Sequence, residues 1–521
     1  MPIMLWCCLL LPSLPLEVFA RARVPDDPRP FAVTTGGHYP RIVSANAAAG
    51  AAGIVPEQLV SAALALAPEV VLRDRDPAAE AAALASFAAW VTQFTPMVSL
   101  APPDALVAEI SGSLRLFGGF ARLAARLAQG ARDLGYTVRQ AQAPTPAAAL
   151  MFARGRHDTT VRTKGGTTSD ARASAAEPGR KKSLGRTSFL DVLARLPLAY
   201  LDVAPDVLAT LAGAGITTFG DACALPRDGL ARRVGGDFVI QLDRVRGLAA
   251  DPRLPFVAPP VYQGALALPA PVGDVEALAF ATNRLVHELA GWLQGRGLGV
   301  SEIALSLAHE RYIGLRTGVP ATTVRFALAA PAREPAHLVA VLRERLARVA
   351  LPAPVEAIAL ASVATAPLAG RNFGLLPGDE AAVTVPLSDR LRARLGEDAV
   401  TRLAPRAEHR PERASDSAAT FVPSAQAGSR GRRTPPVPPL PDAPRPVWLL
   451  AEPEPLGHLQ TTQPWVLQDG PERIESGWWD GLDVRRDYFV AQNPRGETVW
   501  IYRDHRYGID DGEWFLHGVF A

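Results

Sequence analysis

The chain has 521 residues, enough for three or four domains at about 150 residues each. It is 48% hydrophobic and 20% charged, the balance of a soluble globular protein with a sizeable core. A formal net charge of +2 gives no bulk signal of nucleic-acid binding. Three cysteines (Cys7, Cys8 and Cys223) with no CxxC spacing argue against a disulfide framework or a zinc site, and fit a reducing cytosol. Of the 54 basic residues only Lys164, Lys181 and Lys182 are lysines, so 51 are arginines. Arginine makes bidentate contacts with phosphate, although a GC-rich genome that favours arginine codons gives the same bias.

Met4 to Leu16 is an apolar run like the core of an export signal. No Lys or Arg precedes it, and Leu14 to Arg21 lacks a clean small-x-small cleavage site, so export is not expected. No later run reaches about 18 apolar residues, so no membrane span is expected. Residues 4–11 read as a buried strand and Phe31 to Val33 as a short one. Residues 45–66 tend to helix, Ala78 to Phe94 is an Ala-rich helix, Leu106 to Ile110 a strand, and Leu116 to Leu134 a helix. This alternation predicts an α/β or α+β unit. Residues 155–187, rich in Thr, Ser, Gly, Arg and Lys, read as a disordered insertion. A helical segment near 188–250 and an α+β segment near 260–366 follow. Residues 404–442 end in a proline run and read as an extended linker. Residues 443–521 hold six of the nine tryptophans and read as a separate module.

The most specific local motif runs from Leu208 to Asp221 and reads as a helix–hairpin–helix. Gly213 and Gly215 flank a tight hairpin, where glycine allows positive φ and close backbone approach. Thr218 is placed to cap the second helix, with Asp221 completing a capping-box-like start. Hairpin amides and a helix N-terminus hold phosphate, and Arg232 and Arg233 lie just downstream. Such a contact positions a protein on DNA without reading sequence. An ordinary helical hairpin is the competing reading.

Together these pieces resemble Y-family DNA polymerases, and more closely their ImuB branch. Leu5 to Glu17 is similar to the first palm strand and its helix, and Ile42 to Ile54 to the fingers motif. Asp104 to Gly112 is similar to the second palm strand, Leu208 to Asp221 to the thumb, and Gly291 to Val300 to the start of the little-finger region. His409-Arg410-Pro411-Glu412, Gly470 to Asp480, Arg485 to Tyr488 and Trp514 to Gly518 point to the ImuB branch. The resemblance implies an α+β multidomain fold. Palm and fingers take 1–186, a thumb 187–252 and a little-finger-like domain 253–366. A clamp peptide with its helix takes 367–403, a linker 404–442 and a C-terminal module 443–521.

The same resemblance implies lost chemistry. Polymerisation needs two Mg²⁺ ions bridged by carboxylates. Active relatives carry Asp-x-Asp on the first strand, where this chain has Cys8 and Leu10. They carry Asp-Glu on the second, where this chain has Asp104-Ala105. Glu109 lies roughly 16 Å further along the strand, and Glu17 falls on the following helix. Ala47 and Gly50 stand where the fingers carry Tyr and Arg, and no lysine precedes Lys164. No catalytic site, metal or cofactor is therefore expected. Arg311, Arg316 and Arg325 on expected little-finger strands would grip duplex backbone or face solvent.

Arg371 to Pro377 resembles the short peptides that dock bacterial polymerases on the sliding clamp: Asn372 stands at the Gln position, Phe373 follows, and Leu375 and Leu376 are the apolar anchors. A helical stretch, Leu387 to Leu395, comes next. In the C-terminal module Trp478, Trp479, Arg485 and Arg486 are the expected partner contacts, with the adjacent tryptophans on opposite faces of a strand. The resemblance implies a cytoplasmic, SOS-type DNA-damage-response protein in translesion synthesis. Its implied partners are DNA (without sequence preference), the sliding clamp, an ImuA-like RecA-related protein and a C-family error-prone DNA polymerase. An active Y-family polymerase with atypical metal ligands, and an exported protein, are the competing readings.

Overall fold

A computed structural model describes residues 4–23, 28–155, 189–368, 381–396, 399–406, 408–418, 444–457, 465–506 and 513–520. The described chain forms two compact units, 1–379 and 380–521. The first unit opens with β1 (Trp6–Leu10), α1 (Leu14–Ala20), β2 (Phe31–Thr34), β3 (Ile42–Ala45), α2 (Ala47–Ala51), α3 (Val60–Leu66) and β4 (Val71–Asp74). It continues with α4 (Pro77–Val91), β5 (Val98–Ala101), β6 (Ala105–Glu109), α5 (Leu114–Phe117), α6 (Phe120–Asp133), β7 (Arg139–Ala143) and α7 (Pro146–Arg154). All five residues of β1 are buried, because it is central in an antiparallel sheet of order β5-β6-β1-β7 and both its faces are covered. Cys7 and Leu9 face a cluster with α4 and α6, and Cys8 and Leu10 face α7 and the helices after it. A smaller sheet, β3-β2-β4, carries α2 and α3 as the fingers-like unit.

Five helices make the thumb-like region: α8 (Phe189–Ala194), α9 (Pro205–Gly213), α10 (Phe219–Ala224), α11 (Arg227–Val234) and α12 (Gly236–Arg246). The little-finger-like region is a βαββαβ pattern of β8 (Gln263–Val272), α13 (Val275–Arg296), β9 (Leu298–His309), the short α14 (Arg311–Thr317), β10 (Ala321–Ala332), α15 (Pro335–Leu346) and β11 (Val355–Pro367). Its antiparallel sheet has the order β10-β9-β11-β8. The block Gly291 to Val300 thus lies in the middle of this region, at the end of α13 and the start of β9. Arg311 and Arg316 lie on α14 and not on strands, and only Arg325 is on one.

The little-finger-like region packs directly on the palm-like one through α13 and α4. A Cβ on Gly291 would lie 2.1 Å from the Trp90 ring, and one on Gly295 2.3 Å from Thr92 Oγ1. The two glycines, one helical turn apart, form a notch for α4. Beside it Arg21 and Glu288 form an ion pair with side chains 4% and 2% exposed. Ser86 Oγ donates to Glu288 at 2.8 Å and Tyr262 Oη donates to it at 3.2 Å. Arg21 also donates to the Leu134 carbonyl (2.7 Å) and Tyr136 Oη (2.6 Å).

The second unit contains α16 (Ala381–Leu395), a hairpin of β12 (Arg402–Pro405) and β13 (Ser415–Ala418), and a five-stranded antiparallel sheet. The strands are β14 (Trp448–Gly457), β15 (Val466–Ser476), β16 (Val484–Gln492), β17 (Thr498–Asp504) and β18 (Trp514–Val519), in the order β14-β18-β17-β16-β15. The helix expected at 387–395 begins at Ala381. The expected linker is corrected at its start: 402–405 and 411–418 are folded. Polar and proline residues hid this: Arg410, Glu412 and Arg413 tie the segment to residues far along the chain through ion pairs. No helix among the described residues is long and apolar enough to cross a membrane.

Candidate functional site

The end of the palm-like sheet brings together the positions expected to have lost metal ligands. Leu10 pairs with Ala105, and Cys8 with Val107. Cys8 is 0% exposed, Leu10 4% and Ala105 0%, and all three belong to one apolar cluster with α7 and the thumb-like helices. Burial pushes the Cys8 thiol well up, so it stays protonated. Asp104 sits in the turn before β6, where its main-chain oxygen accepts a hydrogen bond from Leu11 N at 2.8 Å. Burial raises its carboxyl pKa against the opposing pull of Arg154. The remaining acids are engaged elsewhere: Glu17 accepts from Thr137 N (2.8 Å) and Glu109 from Ser111 N (2.9 Å). Among the described residues no group of three or more His, Cys, Asp or Glu side chains is placed to hold a metal ion. In the fingers-like unit, Ala47 and Gly50 lie on α2, whose N-terminus is capped by Asn46 Oδ1 accepting from Ala49 N at 2.9 Å.

The helix–hairpin–helix is α9, a turn and α10. Thr218 Oγ1 accepts from Asp221 N at 3.2 Å, and Asp221 Oδ2 accepts from Thr218 N at 3.1 Å, a complete capping box. The hydrogen bonds from Thr218 hold the Asp221 carboxyl below its usual range. Gly215 has φ +78°, a left-handed conformation that favours glycine. Gly213 is the last residue of α9 and has no such requirement, so one of the two expected glycine roles is corrected. Arg232 and Arg233 are exposed in the last turn of α11, where Arg232 Nε donates to the Asp228 carbonyl at 3.2 Å. Exposed guanidiniums, a glycine turn and a capped helix start are each features that suit sugar–phosphate backbone, whose contacts carry no base information.

The clamp-peptide positions Asn372, Phe373, Leu375 and Leu376 lie outside the described residues. In the second unit, the blocks 409–412 and 470–480 meet. Arg410, 2% exposed, donates to Glu408 at 2.7 Å, to Asp480 at 2.7 and 3.1 Å, and to the Leu482 carbonyl at 3.1 Å. Arg486 Nη1 donates to Glu412 at 3.0 Å and to Tyr488 Oη at 3.1 Å, and Tyr488 Oη lies 2.8 Å from His517 Nδ1. Arg486 is therefore a buried internal contact, which corrects its reading as an exposed partner residue, whereas Arg485 is exposed. Trp478 and Trp479 are not on a strand with opposite orientations. They occupy the turn after β15, 73% and 58% exposed, with rings 4.7 Å apart edge to face. Arg410 ties down the turn through Asp480 and the Leu482 carbonyl, and the turn carries both rings exposed. Sequence reasoning missed Arg410 as the centre of this arrangement.

Residues 18–154 match the model of the impB/mucB/samB family. The chain is 30% identical over 498 residues to the proteins called Protein ImuB from two strains of Caulobacter vibrioides, covering 90% of this chain and 100% of each relative. Solved structures similar to it include an insertion ternary complex of Dbh DNA polymerase (TM-score 0.36, 14% identity) and DinB from Sulfolobus solfataricus (TM-score 0.35, 14% identity). Each of these matches covers 69% of this chain and 98% of the other. The chain belongs to the ImuB family, and in it a polymerase-like first unit is accompanied by a β-rich C-terminal one.

Proposed function

We propose that this chain is a non-catalytic adaptor in damage-induced translesion DNA synthesis and mutagenesis. It binds DNA without sequence preference through Gly215, Thr218, Arg232 and Arg233, and docks on the sliding clamp through Asn372, Phe373, Leu375 and Leu376. Its C-terminal module, 443–521, recruits an ImuA-like RecA-related protein and a C-family error-prone DNA polymerase in the cytoplasm, with the exposed Trp478, Trp479 and Arg485 as contacts. The observation that carries the non-catalytic reading is the burial of Cys8, Leu10 and Ala105 in an apolar cluster at the positions aligned with metal carboxylates. A two-metal mechanism stabilises attacking and leaving oxygens with carboxylate-held ions. Asp104 alone, its carboxyl pushed up by burial, is a poor start for the competing reading of an active polymerase with atypical ligands. Exposed tryptophans on a fixed turn support the recruitment reading, since tryptophan is enriched at interface hot spots.

A truncation ending near Pro441 tests the adaptor assignment. It keeps clamp and DNA binding and loses the partner polymerase or the RecA-related partner. Full-yield co-purification of both partners with the truncated chain would make 443–521 structural and move recruitment to the polymerase-like body.

A further inference from the structure

Next to the degenerate palm end, α7, α12 and the segments 200–202 and 251–253 line a pocket of about 140 Å³ that includes Arg154, Asp202, Gln241, Arg244, Asp251 and Arg253. At about 30 Å³ per water it has room for a phosphoryl group and a few waters. The three guanidiniums keep most of their donors unspent. Arg154 donates to the Tyr200 carbonyl at 2.9 Å, Arg244 to the Ala250 carbonyl at 3.3 Å, and Arg253 to Asp251 at 2.8 Å. Each guanidinium has five N–H donors. Arg253 Nε is buried without a hydrogen-bond partner, a state that costs about 1–3 kcal/mol unless something occupies the space.

The acids in the lining leave the balance positive. Asp251 is already engaged by Ala147 N at 3.0 Å as well as by Arg253, and Asp202 is exposed to solvent. Three guanidiniums stand against these two carboxylates. Arg154 and Arg253 also lie within electrostatic reach of Cys8, and Arg154 of Asp104. Fixed positive charge therefore lies beside the positions where carboxylate-held metal ions would otherwise supply it. Planar guanidinium forks match phosphate oxygens without a metal.

We propose that this pocket is a metal-independent phosphoryl-binding site, which takes a phosphate of a nucleic-acid strand or of a nucleotide through Arg154, Arg244 and Arg253. The site deepens the non-catalytic reading by giving the altered palm end a binding role. The two fail separately: primer extension in Mg²⁺ would overturn the non-catalytic reading and leave phosphate binding in EDTA untouched.

The test uses the full chain in EDTA at constant ionic strength. Thermal midpoint and calorimetric titration are followed with inorganic phosphate, with a deoxynucleoside triphosphate, and with a short oligonucleotide bearing or lacking a terminal phosphate. Phosphate is expected to bind saturably and to raise the midpoint relative to chloride. Arg154→Gln should lower its affinity tenfold or more. Gln241→Glu, which adds a negative charge to the lining and leaves every arginine bond in place, should do the same even if Arg154→Gln misfolds. A saturable nucleotide identifies a nucleotide seat, and dependence on the oligonucleotide's terminal phosphate identifies a strand seat. A phosphate response no larger than that of chloride, or one unchanged in Gln241→Glu, would overturn the proposal.

Discussion

Replacing Glu288 by Gln removes the charge that balances Arg21 where the little-finger-like and palm-like regions meet. The change keeps the shape of the side chain and a hydrogen-bonding oxygen for Ser86 and Tyr262. It leaves the Arg21 guanidinium, 4% exposed, without its counter-ion. Arg284 lies close enough that burial and the Arg21 charge push its own pKa down to about 10, so the variant concentrates positive charge in a dry interface. Removing one partner of a buried pair costs about 3–5 kcal/mol. At roughly 2 °C per kcal/mol for a large unit, this is a fall in melting midpoint on the order of 6–10 °C. Scanning calorimetry and urea unfolding of the full chain would measure it. A double variant, Arg21→Met with Glu288→Leu, should recover a large part of the loss, because apolar residues of similar volume replace buried pairs at little cost. A single-variant cost under about 1 kcal/mol, or a double variant as unstable as the sum of its parts, would refute the buried ion pair as a principal contact between the regions.

Two further outcomes follow from the local geometry. Gly215→Val forces a β-branched residue to φ +78°, a conformation that costs an ordinary L-residue about 1–2 kcal/mol. It should weaken salt-dependent DNA binding in a filter or anisotropy assay, whereas Gly213→Ala, with open space around its Cβ, should not; equal binding in both with the fold intact would remove the hairpin from the interface. His517 is fully buried beside Tyr488, Glu412 and Arg486, and burial pushes its pKa down to about 4. A folded pKa below the unfolded value of about 6.5 means that its neutral form stabilises the second unit fully above about pH 6.5. That contribution, on the order of 3 kcal/mol, is lost as pH falls toward 4. His517→Gln should flatten this slope in pH-dependent melting, and an unchanged slope would assign it to other groups.

The parts of the fold that were legible in the sequence are those with local causes. The strand Trp6–Leu10 shows as an unbroken apolar run because both faces of a central strand are buried. The start of α10 shows because Thr218 and Asp221 satisfy each other's backbone groups three residues apart. Long-range polar contacts left no such trace. Arg21 and Glu288 are separated by 267 residues, so no local pattern marks them as partners. Gly291 and Gly295 were visible as a motif, but not as a notch for Trp90 and Thr92, because the partner helix is distant in sequence. Arg410 and Asp480 join a segment expected to be linker to the turn that carries the tryptophans expected on a strand. The missing carboxylates at Cys8, Leu10 and Ala105 were legible as residue identities, while their absorption into the apolar cluster needed the packing.

The central claim is that this polymerase-like frame performs no nucleotide transfer. Primer extension by the purified full-length chain, with Mg²⁺ and with Mn²⁺, on undamaged and lesion-bearing templates, tests it most directly. The account predicts no product above that of a preparation lacking the protein. Metal-dependent incorporation that persists through repurification and disappears in Asp104→Asn would contradict it.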